Sequence, residues 1–347
     1  MVQAQPKESR DAAVPERPEA KPQSLIIDTD PGIDDAAAIA ALLASDSVDV
    51  RLIASVSGNV DIGHTTENAL KLLTFLGRRI PVARGAGEPL ERPAVYAPEV
   101  HGDSGMDGFD FPAPDRSLLL DEDAIEAEAR VLHESDVPVD ILALGPLTNI
   151  ALLIRRHPEV LPNIRRIVLM GGTFAGRPEI TVPDFNIAVD PEAAAEVFAS
   201  TIPIVMVGVE IGWDARLSAT DVETLRADGP VGTMIAALFG VYDDGRVDRG
   251  VQMYDPTAAW YLLYPELFVV QPAEVGVTGT DGPFGGITTR VTFAPATVSH
   301  DGEATGESGV TAVSTANHVD VVTAIDVDGF ASTFVNGVRR ADARFRS

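Results

Sequence analysis

The feature that most constrains this chain is the stretch at residues 25–36, LIIDTDPGIDDA. Three apolar residues, Leu25, Ile26 and Ile27, run into four carboxylates, Asp28, Asp30, Asp34 and Asp35. Pro31 and Gly32 force a turn, because proline fixes φ and glycine tolerates conformations other residues avoid. Residues 36–43 are apolar and alanine-rich, a good helix former. The stretch reads as strand, acidic turn, helix. Asp34 and Asp35 fall in the first helical turn, where the macrodipole favours negative charge. Helix capping accounts for one or two of these acids, not for four around a Pro-Gly turn. Carboxylates crowded at the end of a strand repel one another unless a cation sits among them. A hard divalent cation with oxygen ligands is the expected one.

The rest of the chain alternates. Residues 50–57 (VRLIASVS) form a β-branched apolar run, as in a buried parallel strand, and end at Gly58-Asn59. Further strands are predicted at 80–83, 139–144, 164–170, 202–207 and 319–325. Helices are predicted over 66–76, 124–133, 150–156, 220–225, 231–242 and 330–338. Residues 274–279 and 287–293 read as extra strands, and 84–116, 210–217 and 302–314 as loops. The length of the 84–116 segment marks it as a candidate functional loop. Alternating strands and helices predict an α/β protein: one doubly wound, mostly parallel sheet with helices on both faces and ligand groups at the C-terminal strand edges. Residues 1–23, rich in proline and charge, read as a disordered tail, and 24–347 as a single domain.

Composition narrows the function. The 347 residues are 45% hydrophobic, enough for a sizeable core. The chain has no cysteine, which excludes disulfides, thiolate catalysis and Cys-ligated zinc. No apolar run is long enough to span a membrane, and residues 1–23 lack the apolar core of a secretory signal, so a cytoplasmic protein is expected. Net charge is −26, from 52 acidic and 26 basic residues. That argues against nucleic-acid partners, which need a basic face. It also implies self-repulsion that salt relieves, as in a protein adapted to a salty interior.

DTDPGIDDA resembles the signature of the nucleoside hydrolases, the inosine-uridine preferring type. VSGN (56–59), HGDSG (101–105), LGPLTN (144–149), DFNIAVDPEA (184–193) and YDPTAA (254–259) resemble further segments of that family, in the same order. The resemblance covers most of residues 24–347. It implies an open, Rossmann-like fold and hydrolysis of the N-glycosidic bond of ribonucleosides to free base and ribose, a salvage reaction. It also implies a homodimer or homotetramer and no membrane or nucleic-acid partner. The implied metal is Ca²⁺, with Mg²⁺ second, held by Asp30, Asp35, the Leu144 main-chain carbonyl and Asp255. Asp30 would also take the proton from the metal-bound water, whose pKa the cation lowers. Asp34 and Asn186 would hold the 2′- and 3′-hydroxyls of the sugar, with Asn59, His101, Asp184 and Asp255 as further substrate contacts. Asn59 is equally readable as a turn cap. Thr148 and Asn149 read mainly as helix caps, and Asp28 as a support for Asn59 or the turn.

Three positions depart from the family pattern. Asp184 stands where the family has Glu, and reaches about 1.2–1.5 Å less far. Pro178 occupies the place of an Asn that holds the ribose 5′-hydroxyl. Tyr254 stands where many members carry the His proposed as acid for the departing base. A phenol of pKa about 10 is a weaker acid than an imidazolium near 6.5. Tyr254 is therefore readable as the acid, as a stacking partner of the base or as a core aromatic. These departures leave open a non-catalytic nucleoside-binding protein that keeps the metal cradle. A haloacid-dehalogenase-type phosphatase also begins with strand-D-x-D, but wants Thr or Val where this chain has Gly32, and leaves Asp34-Asp35 unexplained.

The charge generates the first prediction. The melting temperature should rise as KCl is raised from millimolar to molar; a flat melting curve against KCl would remove the salt-adapted reading.

Overall fold

The structure is a computed structural model that describes residues 21–174, 184–245, 247–278, 287–291 and 318–345. Its first half runs β1 (Gln23–Thr29), α1 (Ile33–Leu42), β2 (Val48–Ser55), α2 (Ile62–Phe75), β3 (Val82–Arg84), α3 (Pro98–His101), β4 (Leu119–Asp123), α4 (Ala124–Glu134), β5 (Val139–Ala143), α5 (Thr148–Arg156) and β6 (Ile164–Met170). There follow α6 (Phe185–Val189), α7 (Pro191–Ala199), β7 (Ile204–Val207), α8 (Val209–Asp214), β8 (Arg216–Leu217), α9 (Ala219–Asp228) and α10 (Pro230–Phe239). The chain closes with β9 (Val251–Gln252), α11 (Tyr254–Leu263), β10 (Phe268–Thr278), β11 (Ile287–Val291), β12 (His318–Ile325) and α12 (Val327–Arg344).

Ten strands form one sheet in the order β11-β10-β12-β7-β6-β5-β1-β2-β3-β4. Only the pairings of β10 with β11 and β12 are antiparallel. Alternate side chains feed two cores, one on each face, because successive residues of a strand point to opposite sides. Leu25 and Ile27 of β1 join the core under α1, α10, α11 and α12, whereas Ile26 joins the one under α4, α5 and α7. Helix α1 is buried along its whole length, as its all-round apolar sequence demands. The doubly wound, mostly parallel sheet with helices on both faces is the fold that the sequence implies. Among the described residues no helix is long and apolar enough to cross a membrane.

Strand order reverses between β1 and β5: from β1 the sheet grows outward through β2 to β4, and from β5 through β6 and β7 the other way. Connections leaving such neighbours go to opposite faces and open a crevice at their carboxyl ends. The acidic turn, which follows β1, lies at that crevice.

Several local expectations need correction. Residues 210–217 are not a loop: most of them form α8 and β8, and Ile211 is buried. A helix of six residues is too short for its apolar positions to show a readable period. Residues 98–101 and 119–123 are helix and strand within or beside the predicted long loop. Strand β10 begins at Phe268, six residues before the predicted Glu274. Its Pro272 pairs only with β12, beyond the residues that reach β11, so the missing N–H interrupts no second ladder. Gln23 already belongs to β1 rather than to the tail. Pro178, residues 292–293 and the 302–314 loop lie outside the described residues.

Thr148 and Asn149 are not caps. Helix α5 takes Leu147 as its N-cap, with no side-chain cap bond. Thr148 instead donates to Asp190 Oδ2 at 2.7 Å. Asn149 Nδ2 donates to Asp28 Oδ2 at 2.8 Å and to the Ser55 carbonyl at 3.1 Å, and its Oδ1 accepts from Ala86 N at 2.8 Å. One buried amide thus ties β1, β2 and the segment after β3, and Asp28 supports Asn149 rather than Asn59. Asn149→Leu strands several buried polar groups and should cost about 3 kcal/mol in urea unfolding. A cost within about 0.5 kcal/mol, ordinary for a surface site, would show that the tie is dispensable.

Candidate active site

A cavity of about 500 Å³ opens at the crevice. Asp34, Asn59 and Asp255 line one part of it, and Asp184 and Asn186 another. Leu144, His101 and Tyr254 also line it, so eight of the predicted residues meet in one place although they come from distant parts of the chain. Tyr242 and Trp213 complete the wall. Neither was legible as a site residue, since each is a single aromatic outside the motif segments.

Asp30 and Asp35 lie just behind the cavity wall, fully buried. The Asp35 carboxylate accepts from Thr29 Oγ1 at 2.5 Å and from the backbone N–H of Gly32 at 2.9 Å. Asn59 spans the two acids. Its backbone N–H donates to Asp30 Oδ2 at 2.8 Å, and its Nδ2 donates to Asp35 Oδ2 at 3.2 Å and to the Asp30 carbonyl at 3.1 Å. Asp30 Oδ1 is buried without a partner. A Cβ on Gly58 would stand 2.0 Å from Asp30 Oδ2, and one on Gly145 2.6 Å from Asp30 Oδ1, so glycine at both positions makes room for this carboxylate.

Carboxylate oxygens of Asp34, Asp35 and Asp255 lie within 4.8 Å of one another. The sequence reading grouped Asp30 with Asp35 and Asp255 and gave Asp34 to the sugar; the geometry draws Asp34 into the trio, while Asp30 Oδ2 is turned to the Asn59 N–H. Burial, and then the charges of neighbouring acids, hold Asp30 and Asp255 well above the usual carboxylate range. Burial and the Asp34 charge push Asp35 up to about 6. Concentrated, desolvated oxygen donors with an orphaned Asp30 Oδ1 among them fit a hard divalent cation. The Leu144 carbonyl borders the same cavity and accepts from Asn186 Nδ2 at 2.6 Å, which also donates to the Met170 carbonyl at 3.1 Å.

His101 sits at the end of α3 and is buried. The Ile33 N–H donates to its Nδ1 at 3.2 Å. Nδ1 is therefore the acceptor and the ring proton rests on Nε2. Burial lowers its pKa against the opposing charges of Asp34 and Glu99, which favours the neutral imidazole. The Tyr242 ring packs 5.5 Å away. The Tyr254 hydroxyl donates to Gln252 Oε1 at 2.9 Å. Asp184 caps α6 by accepting from Ile187 N at 3.0 Å.

An α/β sheet whose switch-point crevice gathers buried carboxylates and sugar-sized space defines an enzyme built around an oxygen-donor cation site. The sequence matches the profile of the family described as inosine-uridine preferring nucleoside hydrolase over residues 25–332. The chain belongs to the nucleoside hydrolase family, a family of enzymes that cleave glycosidic bonds. It is 45% identical to the non-specific ribonucleoside hydrolase RihC of Salmonella agona over 307 residues, which span 88% of this chain and 94% of that protein. It is 47% identical to the Klebsiella pneumoniae protein of the same name over 254 residues, 73% of this chain and 83% of that one. Among solved structures, a plant nucleoside hydrolase (PpNRh1) superposes with a TM-score of 0.78 at 30% identity, covering 91% of this chain and 99% of that one. The fold also matches a purine-preferring ribonucleoside hydrolase from Gardnerella vaginalis, with a TM-score of 0.79 at 24% identity over 92% of this chain and 100% of that one.

The raised carboxyl groups fix the sign of a pH effect. A group whose folded pKa exceeds its unfolded value stabilises the fold below the unfolded value and loses that contribution as pH rises through the folded one. For Asp35, which moves from 3.8 to about 6, and Asp28, which burial moves from 3.8 to about 7, the window is about pH 4 to 7. Cation-free protein should therefore melt at a lower temperature at pH 8 than at pH 6, and added Ca²⁺ should stabilise more at pH 8. Equal stabilisation by Ca²⁺ at both pH values, in thermal melts with and without chelator, would contradict the cluster's protonation.

Proposed function

We propose that this protein hydrolyses the N-glycosidic bond of ribonucleosides to free base and ribose, with Ca²⁺ as its cation and Asp30 as general base. The observation that carries the reading is the Asp30 carboxylate. One oxygen is clamped by the Asn59 N–H, and the other is buried without a partner beside Asp35 and Asp255. A carboxylate so raised in basicity accepts a proton more readily than an exposed one. The donor set of Asp34, Asp35, Asp255 and the Leu144 carbonyl would hold the cation, with Asp30 behind them. When bound, the cation acidifies a water and binds the sugar diol.

The chain's own groups then divide the work. Asn186 and Asp184 line the part of the cavity that receives the sugar, and Asn59 fixes Asp30 and Asp35 against each other. Asp30 takes the proton of the attacking water as C1′ gains oxocarbenium character and the bond to the base loosens. The base lies against the rings of Tyr242, Tyr254 and Trp213. His101, with its ring proton on Nε2, offers the departing base a hydrogen bond. Tyr254 contributes a ring face, since its hydroxyl is engaged by Gln252. Ring faces grip any base with little regard for its edge, which supports broad base tolerance, as the name of the RihC relatives suggests for those proteins. We assign the reaction to residues 24–347 acting as one domain.

Asp30→Asn keeps the shape and removes the base. Ribose release from inosine, uridine or adenosine should fall about 10²–10⁴-fold, as for other general bases, while the variant still binds ribonucleoside. Reducing-sugar assays and calorimetric binding check both halves; wild-type turnover in the variant would falsify the assignment.

A further inference from the structure

Past the rings of Tyr242 and Tyr254 lies a second cavity, of about 520 Å³. Val100, Trp213, Tyr242 and Tyr254 border both cavities, so the two adjoin through an aromatic wall. Their linings have opposite polarity. Asp34, Asp184 and Asp255 face the first; Arg216, Arg249 and Gln252 face the second, which no carboxylate lines among the described residues.

The two arginines belong, with Arg78, Arg84 and Arg340, to the minority of the described arginines that have no carboxylate partner. Acidic residues outnumber basic ones 52 to 26, and most of the described arginines, such as Arg92, Arg155 and Arg165, pair with carboxylates. Among the described residues neither Arg216 nor Arg249 has such a partner. Arg216 donates to the carbonyls of Trp213 at 3.2 Å and Arg249 at 3.4 Å, and its guanidinium lies 5.9 Å from the Trp213 ring centre. These bonds hold the cation at the cavity wall while meeting none of its charge. The β8–β9 pairing sets Arg216 opposite Gln252. Because Gln252 Oε1 accepts from Tyr254, its amide nitrogen is left as a donor. Two uncompensated guanidiniums and an amide donor converge on one cavity in a protein whose surface is otherwise acidic.

We propose that this second cavity is a subsite for a carboxylate-bearing extension on the base of a ribonucleoside. The inference rests on the ribonucleoside reading above. The sugar lies at the carboxylates, and Tyr254 stands on the side of the departing base. A substituent on the base therefore points away from Asp34 and Asp255 and toward Arg216 and Arg249. Its charge is matched there by the fork of a guanidinium, which suits a carboxylate geometrically. The chemistry at C1′ is unaltered: water adds, the bond to the base nitrogen breaks, and the base leaves with a proton and with its extension intact.

The test compares adenosine, N6-benzyladenosine and N6-succinyladenosine at fixed Ca²⁺ and KCl. The benzyl compound measures room, and the succinyl compound measures room plus charge. kcat/KM for the succinyl substrate should exceed that for the benzyl substrate. In Arg216→Gln/Arg249→Gln it should fall about tenfold, the scale of one charge-assisted hydrogen bond, with adenosine unchanged. Arg249→Gln alone, at an exposed residue with no carboxylate partner among the described residues, gives the same readout should the double variant fail to fold. Succinyl cleavage no faster than benzyl, or an equal loss on all three substrates, overturns the subsite. If wild-type protein releases ribose from none of adenosine, inosine and uridine, the hydrolase reading has failed instead. The subsite is then judged by calorimetric binding of N6-succinyladenine against N6-benzyladenine, where equal affinity overturns it.

Discussion

Mutual repulsion among buried carboxylates is the constraint to which the rest of the molecule answers. Asp30, Asp35 and Asp255 are taken out of water and brought close together at the end of β1 and the start of α11. Each ionised group so placed is unfavourable unless hydrogen bonds or opposite charge compensate it. The compensation present is partial. Thr29, Gly32 and Asn59 serve Asp35, and Asn59 serves one oxygen of Asp30. What remains is supplied either by protons, which the raised pKa values record, or by a cation. The same arrangement thus sets both the pH response of the fold and its appetite for a divalent ion.

The sheet makes this arrangement possible. At the switch point β1 and β5 are neighbours, and Leu144 N donates to the Asp28 carbonyl at 2.8 Å, which locks the two strand ends together. Beneath them a second pair of acids is buried. Burial raises Asp28 to about 7 and, with the Asp28 charge, holds Glu128 of α4 well above the carboxylate range. A neutral Glu128 can donate to Asp28, which also accepts from Asn149. The floor of the site is therefore a polar network inside the core rather than an apolar one. Such networks narrow the set of backbone arrangements that satisfy every member.

What was legible in the sequence follows from the range of the interactions involved. The continuous apolar runs of β1 and β5, the Pro-Gly turn and the acids in the first turn of α1 are local signals, and the structure has each of them where the sequence implies it. The motif segments, compared with a known family, single out Asn59, Leu144, Asp184, Asn186 and Asp255, and all five line the crevice. Which carboxylate oxygens approach within 4.8 Å of one another was not legible, because it depends on where Asn59, distant in the chain, sends its N–H. Asn149 looked like a cap because its partners, Asp28 and Ser55, are far away in sequence. Tyr242 and Trp213 gave no signal for the same reason: an aromatic becomes a cavity wall only through what packs opposite it. Helix α8 is too short to show a period of its own.

Global and local electrostatics separate cleanly here. A net charge of −26 draws cations toward the molecule and leaves a neutral nucleoside indifferent. At physiological ionic strength the screening length is about 8 Å, and it shrinks further in brine. The acidic surface therefore contributes little to holding a particular ion once salt is high. Retention falls to the buried donors, whose field is screened far less because water and mobile ions do not enter among them. Local polarity decides the other wall as well. Arg216 and Arg249 present positive charge over a few ångströms to whatever lies against Trp213 and Gln252, and the surrounding acid excess does not cancel it at contact distance. A protein that is acidic as a whole can thus line one cavity with buried carboxylates and the adjoining one with arginines, because the local field at contact distance outweighs the global charge.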